Sequence, residues 1–86
     1  MAFTFTIEKP KVESEKLFLD IKEIIERREG SISGDDKEGR ISSYGVEGNY
    51  VVGTESIEIT IDKKPMIYPE FAVKRYIRKF FSEVSS

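Results

Sequence analysis

The clearest pattern along this chain runs from Ser56 to Asp62, where Ile57, Ile59 and Ile61 alternate with Glu58 and Thr60. A period of two marks a strand with one buried face, and three isoleucines on that face suit a central strand. Phe3, Phe5 and Ile7 alternate in the same way with Thr4, Thr6 and Glu8, so a first strand is expected over Ala2 to Lys9, stopped by Pro10. The spacing then changes. Leu17, Phe18, Ile21, Ile24 and Ile25 recur at helical intervals, with Ser14 placed to cap the start and Gly30 to end the helix in the left-handed conformation. Arg27 and Arg28 suit the negative end of that helix.

Between the first helix and the isoleucine strand, short strands are expected at Ser31 to Ser33, Arg40 to Val46 and Asn49 to Val52, with Glu47-Gly48 as a tight hairpin turn. After it, Pro65 and Pro69 bracket a turn, and a second helix begins near Pro69, where the missing amide proton costs nothing. Its core stripe is Val73, Tyr76, Ile77, Phe80, Phe81 and Val84. The order strand, helix, meander of three or four strands, helix predicts an α+β fold. Its sheet should be mostly antiparallel, with both helices on one face because each shows a single apolar stripe. One domain spanning 1–86 is expected, frayed at Val84, Ser85 and Ser86.

Composition narrows the chemistry more than the fold. The 86 residues include no His, Cys, Trp or Gln, so histidine relays, zinc sites and thiol catalysis lose their preferred side chains. A net charge of −2 does not mark an overall nucleic-acid binder, which leaves any basic site local. Nothing approaches the roughly 20 apolar residues of a membrane span. The first residues lack the basic start and apolar run of a signal peptide, and with zero Cys this points to a cytoplasmic protein. Absent Gln, a single Asn, abundant Glu, Lys and Arg, and many isoleucines together carry the bias of a thermophilic, prokaryotic or archaeal source.

What remains is carboxylate chemistry. Asp35, Asp36 and Glu38 lie between Gly34 and Gly39, in a segment free to curl and bring like charges together. A hard cation would relieve the repulsion. Calcium, which accepts six to eight oxygens in mixed shells, suits it better than magnesium, which demands octahedral geometry. Thr54, Glu55 and Ser56 could add ligands if that turn lies beside the acidic loop. The loop lacks the pattern of an EF-hand, and such a site should bind in the range of roughly 0.1 to 1 mM. The plain alternative is a solvated hairpin loop.

The order of elements, with Asp35, Asp36 and Glu38 after the second strand and Thr54, Glu55 and Ser56 before the last, resembles a small calcium-binding α+β protein of methanogens. That resemblance implies a calcium buffer rather than a sensor. Where the pattern has acidic residues and serines, this chain has Lys37 in the first loop and Glu55 in the second.

The second candidate surface is cationic. Lys74, Arg75, Arg78 and Lys79 fall on the helix face opposite Val73, Ile77, Phe80 and Phe81, where they could hold RNA phosphates in a salt-dependent, sequence-independent way. Lys63 and Lys64 could extend the stripe, while Glu70 and Glu83 dilute it. The run Phe71 to Lys79 resembles the second helix of a small eukaryotic-type ribosomal protein of the large subunit, whose motif reads Phe-Ser-Lys-Arg-Tyr-Leu-Lys. The match is specific across Lys74-Arg75-Tyr76-Ile77. It implies an RNA- or ribosome-associated role, although that family is far more basic.

The aromatic residues read as core rather than base-stacking platforms. Adjacent Asp35 and Asp36 in a polar loop would both stay ionised, and no nucleophile elbow, phosphate loop or dinucleotide fingerprint is present. The sequence therefore favours a non-enzymatic, monomeric or weakly dimeric protein that binds a divalent cation at the acidic loop. An RNA-associated module using the second helix is the rival, and a protein-interaction domain is a third reading without a signature of its own.

Overall fold

The computed structural model describes residues 2–84, in the order β1 (Phe3–Glu8), α1 (Ser14–Arg27), β2 (Ser31–Gly34), β3 (Glu38–Ser43), β4 (Val46–Val52), β5 (Ser56–Lys63) and α2 (Glu70–Ser82). The strands form one antiparallel sheet in the order β1-β5-β4-β3-β2. The expected α+β class, the meander and the antiparallel pairing are all present, with the meander taking its four-strand form.

Alternation decides which face of the sheet is covered. Rows across the inner face run Phe5, Ile59, Tyr50, Gly39 and Phe3, Ile61, Gly48, Ile41, Ile32. Ile57, Ile59 and Ile61 are completely buried, and strand neighbours flank them on both sides. Onto this face pack Leu17, Ile21, Ile24 and Ile25 from α1 and Val73, Ile77 and Phe80 from α2. The outer face carries Thr4, Thr60, Asn49 and Arg40 in one row. There the Arg40 guanidinium donates to both carboxylate oxygens of Asp62 (2.8 and 2.9 Å) and to Asn49 Oδ1 (3.1 Å). Asp62 consequently ionises below the usual carboxylate range.

Several boundaries differ from the sequence expectation. The hairpin turn before β4 is Tyr44-Gly45 (φ 52° and 81°), the pattern of a type I′ turn, and not Glu47-Gly48. Glu47 and Gly48 lie inside β4 at a bulge, where Gly48 lets the strand approach Thr60 and Ile61. The expected strand from Arg40 to Val46 is therefore two strands. Ser14 is the first helical residue rather than the cap; Glu13 occupies the cap without a side-chain bond, and Ser14 Oγ instead accepts from Lys9 Nζ at 2.8 Å. Val84 is buried rather than frayed, while Ser85 and Ser86 lie outside the described residues.

The end of α1 also differs. The helix stops at Arg27 with Arg28 as its cap, and the left-handed residue is Glu29 (φ 60°) rather than Gly30. Glu29 N–H donates to Glu26 O and Gly30 N–H to Ile25 O, the two bonds of a Schellman ending. Gly30 serves a different need: a Cβ there would lie 2.6 Å from Ser42 O and 2.7 Å from Ile25 Cγ2. Arg28 then bridges to α2, donating to both oxygens of Glu83 (2.7 and 2.6 Å) with its guanidinium over the Phe80 ring.

Glu29→Gly is expected to stabilise the protein by about 0.5–1 kcal/mol by relieving the left-handed strain, which raises Tm by a few degrees for a chain this size. Gly30→Ala is expected to destabilise it by about 2 kcal/mol or more, because backbone and core atoms must move. Thermal and urea denaturation of the two variants measure these opposite signs.

Candidate functional site

The acidic loop closes β2 onto β3, and its carboxylates do not all face outward as free ligands. Asp35 Oδ1 accepts from the backbone N–H groups of Lys37 (2.8 Å) and Glu38 (3.0 Å), and Asp35 N–H donates to Glu38 O. These bonds shape the turn and hold the Asp35 carboxyl below its usual pKa. Tyr50 reaches across Gly39, where the missing side chain leaves room for its ring, and donates its hydroxyl to Asp35 O at 2.6 Å. Burial, with the Asp35 and Asp36 charges nearby, pushes the Tyr50 hydroxyl up to about 12.

The Thr54 turn does come to the same end of the sheet. Val52 N–H donates to Lys37 O at 2.7 Å, so the start of the β4-β5 turn adjoins the acidic loop through the backbone. The side chains diverge from there. Asp35 and Asp36 border a narrow apolar cavity of about 20 Å³ between α1 and the sheet, whereas Thr54, Glu55 and Ser56 border a separate open groove shared with Lys9 and Lys11. A lysine also occupies part of this turn: Lys9 Nζ donates to Gly53 O at 3.4 Å, and Lys9 N–H to Glu55 O. Among the described residues no three acidic side chains are grouped to hold a metal ion. Asp35 Oδ1, already shared by two backbone N–H groups, has less capacity left for a cation.

The basic residues of α2 are placed differently. Arg75, Arg78 and Lys79 are exposed and Lys74 half-buried. Lys74 and Arg78 lean over the edge strand, with Lys74 Nζ 6.0 Å from the Phe3 ring centroid and Arg78 Cζ 5.8 Å from that of Phe5. The stripe thus sits partly beside the core, on the β1 flank, and not wholly opposite it. Lys16, Arg27, Arg28, Arg40 and Lys63 all form ion pairs, but among the described residues none of Lys74, Arg75, Arg78 and Lys79 does. Glu83, expected to dilute the stripe, is committed to Arg28. Glu70 is the remaining acid on α2.

No family model, curated protein or solved structure matches this chain. One group of exposed residues lies outside both expected sites: Met66, Ile67 and Phe71 are 98%, 83% and 66% exposed, beside the basic stripe. A signal for it was present in the sequence, since Met66-Ile67-Tyr68 is an apolar run in a proline-bracketed turn, where polar residues are the rule. Near it Tyr44, Tyr68 and Tyr76 line an apolar cavity of about 170 Å³. That is well below the roughly 300 Å³ at which small-molecule pockets begin. No helix among the described residues is long and apolar enough to cross a membrane.

The role given to Asp35 has a pH signature. Its folded pKa lies below 3.8, so the turn's contribution is complete above that value and is lost as pH falls through the folded pKa. Asp35→Asn retains a neutral oxygen for the same two N–H groups. The stability difference between wild type and Asp35→Asn should therefore shrink as pH is lowered from 6 to 2 (an estimated window around the carboxylate range), measured by denaturant titration at each pH.

Proposed function

We propose that this is a non-enzymatic binding protein that engages a polyanion through α2. The observation that carries the reading is the set Lys74, Arg75, Arg78 and Lys79: four cations on one helix, unpaired among the described residues, in a protein whose other arginines are held by carboxylates. Cations without carboxylate partners keep their counterions, and a phosphate-rich ligand releases those counterions on binding. Guanidinium groups add forked hydrogen bonds to phosphate oxygens. RNA is the soluble polyanion to test first, as the resemblance of the Lys74-Arg75-Tyr76-Ile77 run suggests.

Four phosphate contacts to single-stranded RNA would give a slope of log affinity against log salt of about −3. In the variant Lys74→Ala, Arg75→Ala, Arg78→Ala the slope should fall to about −0.7, with a loss of affinity at low salt. Retention on RNA or heparin that ignores both salt and these substitutions would sink the reading. Because Lys74 and Arg78 also cover Phe3 and Phe5, the variant's thermal unfolding is measured alongside.

A second reading, a divalent cation at the acidic loop with calcium ahead of magnesium, is supported by the Lys37 O to Val52 N–H bond, which brings its two loops to one end of the sheet. It ranks second because Asp35 Oδ1 already accepts two backbone bonds. A calcium titration of amide shifts, with magnesium and sodium at matched ionic strength, tests it. Saturable calcium-specific shifts confined to residues 35–39 and 53–56 support the site, and diffuse shifts end it.

A further inference from the structure

Charge is segregated along this chain. Residues 63–79 hold six basic side chains and one acidic one, whereas the remainder holds eight basic and fifteen acidic. The structure places an apolar tip inside the basic segment. Pro65 to Tyr68 forms a turn, closed by the Tyr68 N–H to Pro65 O bond and by Lys64 Nζ donating to Tyr68 O at 2.7 Å. Met66 and Ile67 stand at its tip, 98% and 83% exposed. Phe71 continues the apolar surface onto α2 and shares a helix face with Lys74, Arg75 and Arg78 at spacings i+3, i+4 and i+7. At 1.5 Å rise per residue those cations lie within about 10 Å of Phe71 along the axis.

We propose that this end of the molecule is a peripheral docking site for an anionic lipid surface, with Met66, Ile67 and Phe71 inserting at the interface and the α2 cations meeting the headgroups. The proposal rests on the polyanion reading and names the polyanion. Three observations select a lipid surface. The first is shape: the apolar residues project from a turn, so a protein partner would have to supply a matching pocket, whereas an interfacial layer receives a convex tip without one. The second is the order of residue types, with aliphatic and aromatic side chains at the tip, half-exposed Tyr68 and exposed Tyr44 nearby, and lysines and arginines flanking them. That order matches the layers of acyl chain, interface and headgroup. The third is charge complementarity, since the basic segment is attracted to an anionic bilayer while the acidic remainder is repelled, which orients the molecule tip first. A symmetric contact with a second copy would instead bring two basic segments together.

Tyr44 adds a point from the backbone. It sits at φ 52°, a conformation strained for a bulky residue and favourable for Asn, and its side chain is 55% exposed. Its ring lies tilted against that of Tyr76, with centroids 6.1 Å apart and the planes at 58°. The fold's turn does not require an aromatic residue here, whereas an interfacial surface uses one.

The test is sedimentation of the full chain with phosphatidylcholine vesicles, with and without phosphatidylserine, at low and high salt. RNA retention is measured in parallel. Binding should require phosphatidylserine and fall with salt. Each of Met66→Ser and Ile67→Ser should weaken it about tenfold, with RNA retention unchanged. Arg75→Ala with Lys79→Ala should weaken it about 25-fold, at about fivefold per cation. Tyr44→Asn should weaken it while leaving thermal stability equal or higher. RNA retention without vesicle binding would overturn the lipid assignment and leave the polyanion reading standing, and failure of both would remove both. Vesicle binding indifferent to Met66 and Ile67 would overturn insertion, as would concentration-dependent self-association abolished by Met66→Ser.

Discussion

Burial of Ile57, Ile59 and Ile61 is the constraint on which the rest of the structure depends. These side chains have no exposed surface, and β5 is paired along both edges, to β1 and to β4. At about 25 cal/mol per Å² of apolar area removed from water, such a ridge dominates the favourable terms available to a small domain. Its consequences are directional. Both helices must present their apolar stripes to that one face, leaving the other to threonines and to the Arg40–Asp62 pair. With one face committed to packing, ligand surfaces fall to loops, helix flanks and the open side of the sheet.

Close backbone approach is the second organising effect. Gly30 lets the end of α1 touch β3, and Gly39 lets Tyr50 pass under the acidic turn to the Asp35 carbonyl. These contacts bear on function because they consume polar groups that a reading of charges alone leaves free. Asp35 becomes part of the turn's own hydrogen bonding, and Lys9 fills part of the neighbouring turn. The same effect works in the opposite sense on α2. Glu83 is drawn to Arg28, and the cations of the stripe are left without carboxylate partners among the described residues.

The balance of charge therefore has a geometry that its total of −2 conceals. Opposite charges pair locally along α1, as in Lys16–Asp20 and Arg27–Glu23, and across the open face of the sheet. Around the turn before α2 pairing is sparser: Lys63 meets Glu47 at 3.6 Å, while among the described residues Lys64, Lys74, Arg75, Arg78 and Lys79 form no ion pair. A patch both apolar and cationic is costly to expose, because Met66 and Ile67 order water without gaining contacts and the cations repel one another. An anionic surface that also receives apolar side chains would relieve both costs, which is what links this patch to the proposed role.

Much of the fold was legible in the sequence because its periodicities are local. Alternation at Phe3 to Ile7 and Ile57 to Ile61, and helical spacing at Leu17 to Ile25 and Val73 to Phe80, each depend only on which side of one element is buried. The α+β order and the one-sided sheet follow from those faces. What local pattern could not assign was any position whose conformation depends on a neighbour distant in sequence. Gly30 and Gly48 read as helix stop and turn, yet both are glycine because Ser42 and Thr60 come close. Tyr44 held a turn position no propensity would give it, and Glu29 took the left-handed place expected of glycine. The carboxylates and cations were likewise visible as residue types. Which of them are spent on the molecule's own backbone and which face solvent was decided by tertiary structure alone, because a charged group's availability depends on the partners that folding brings to it.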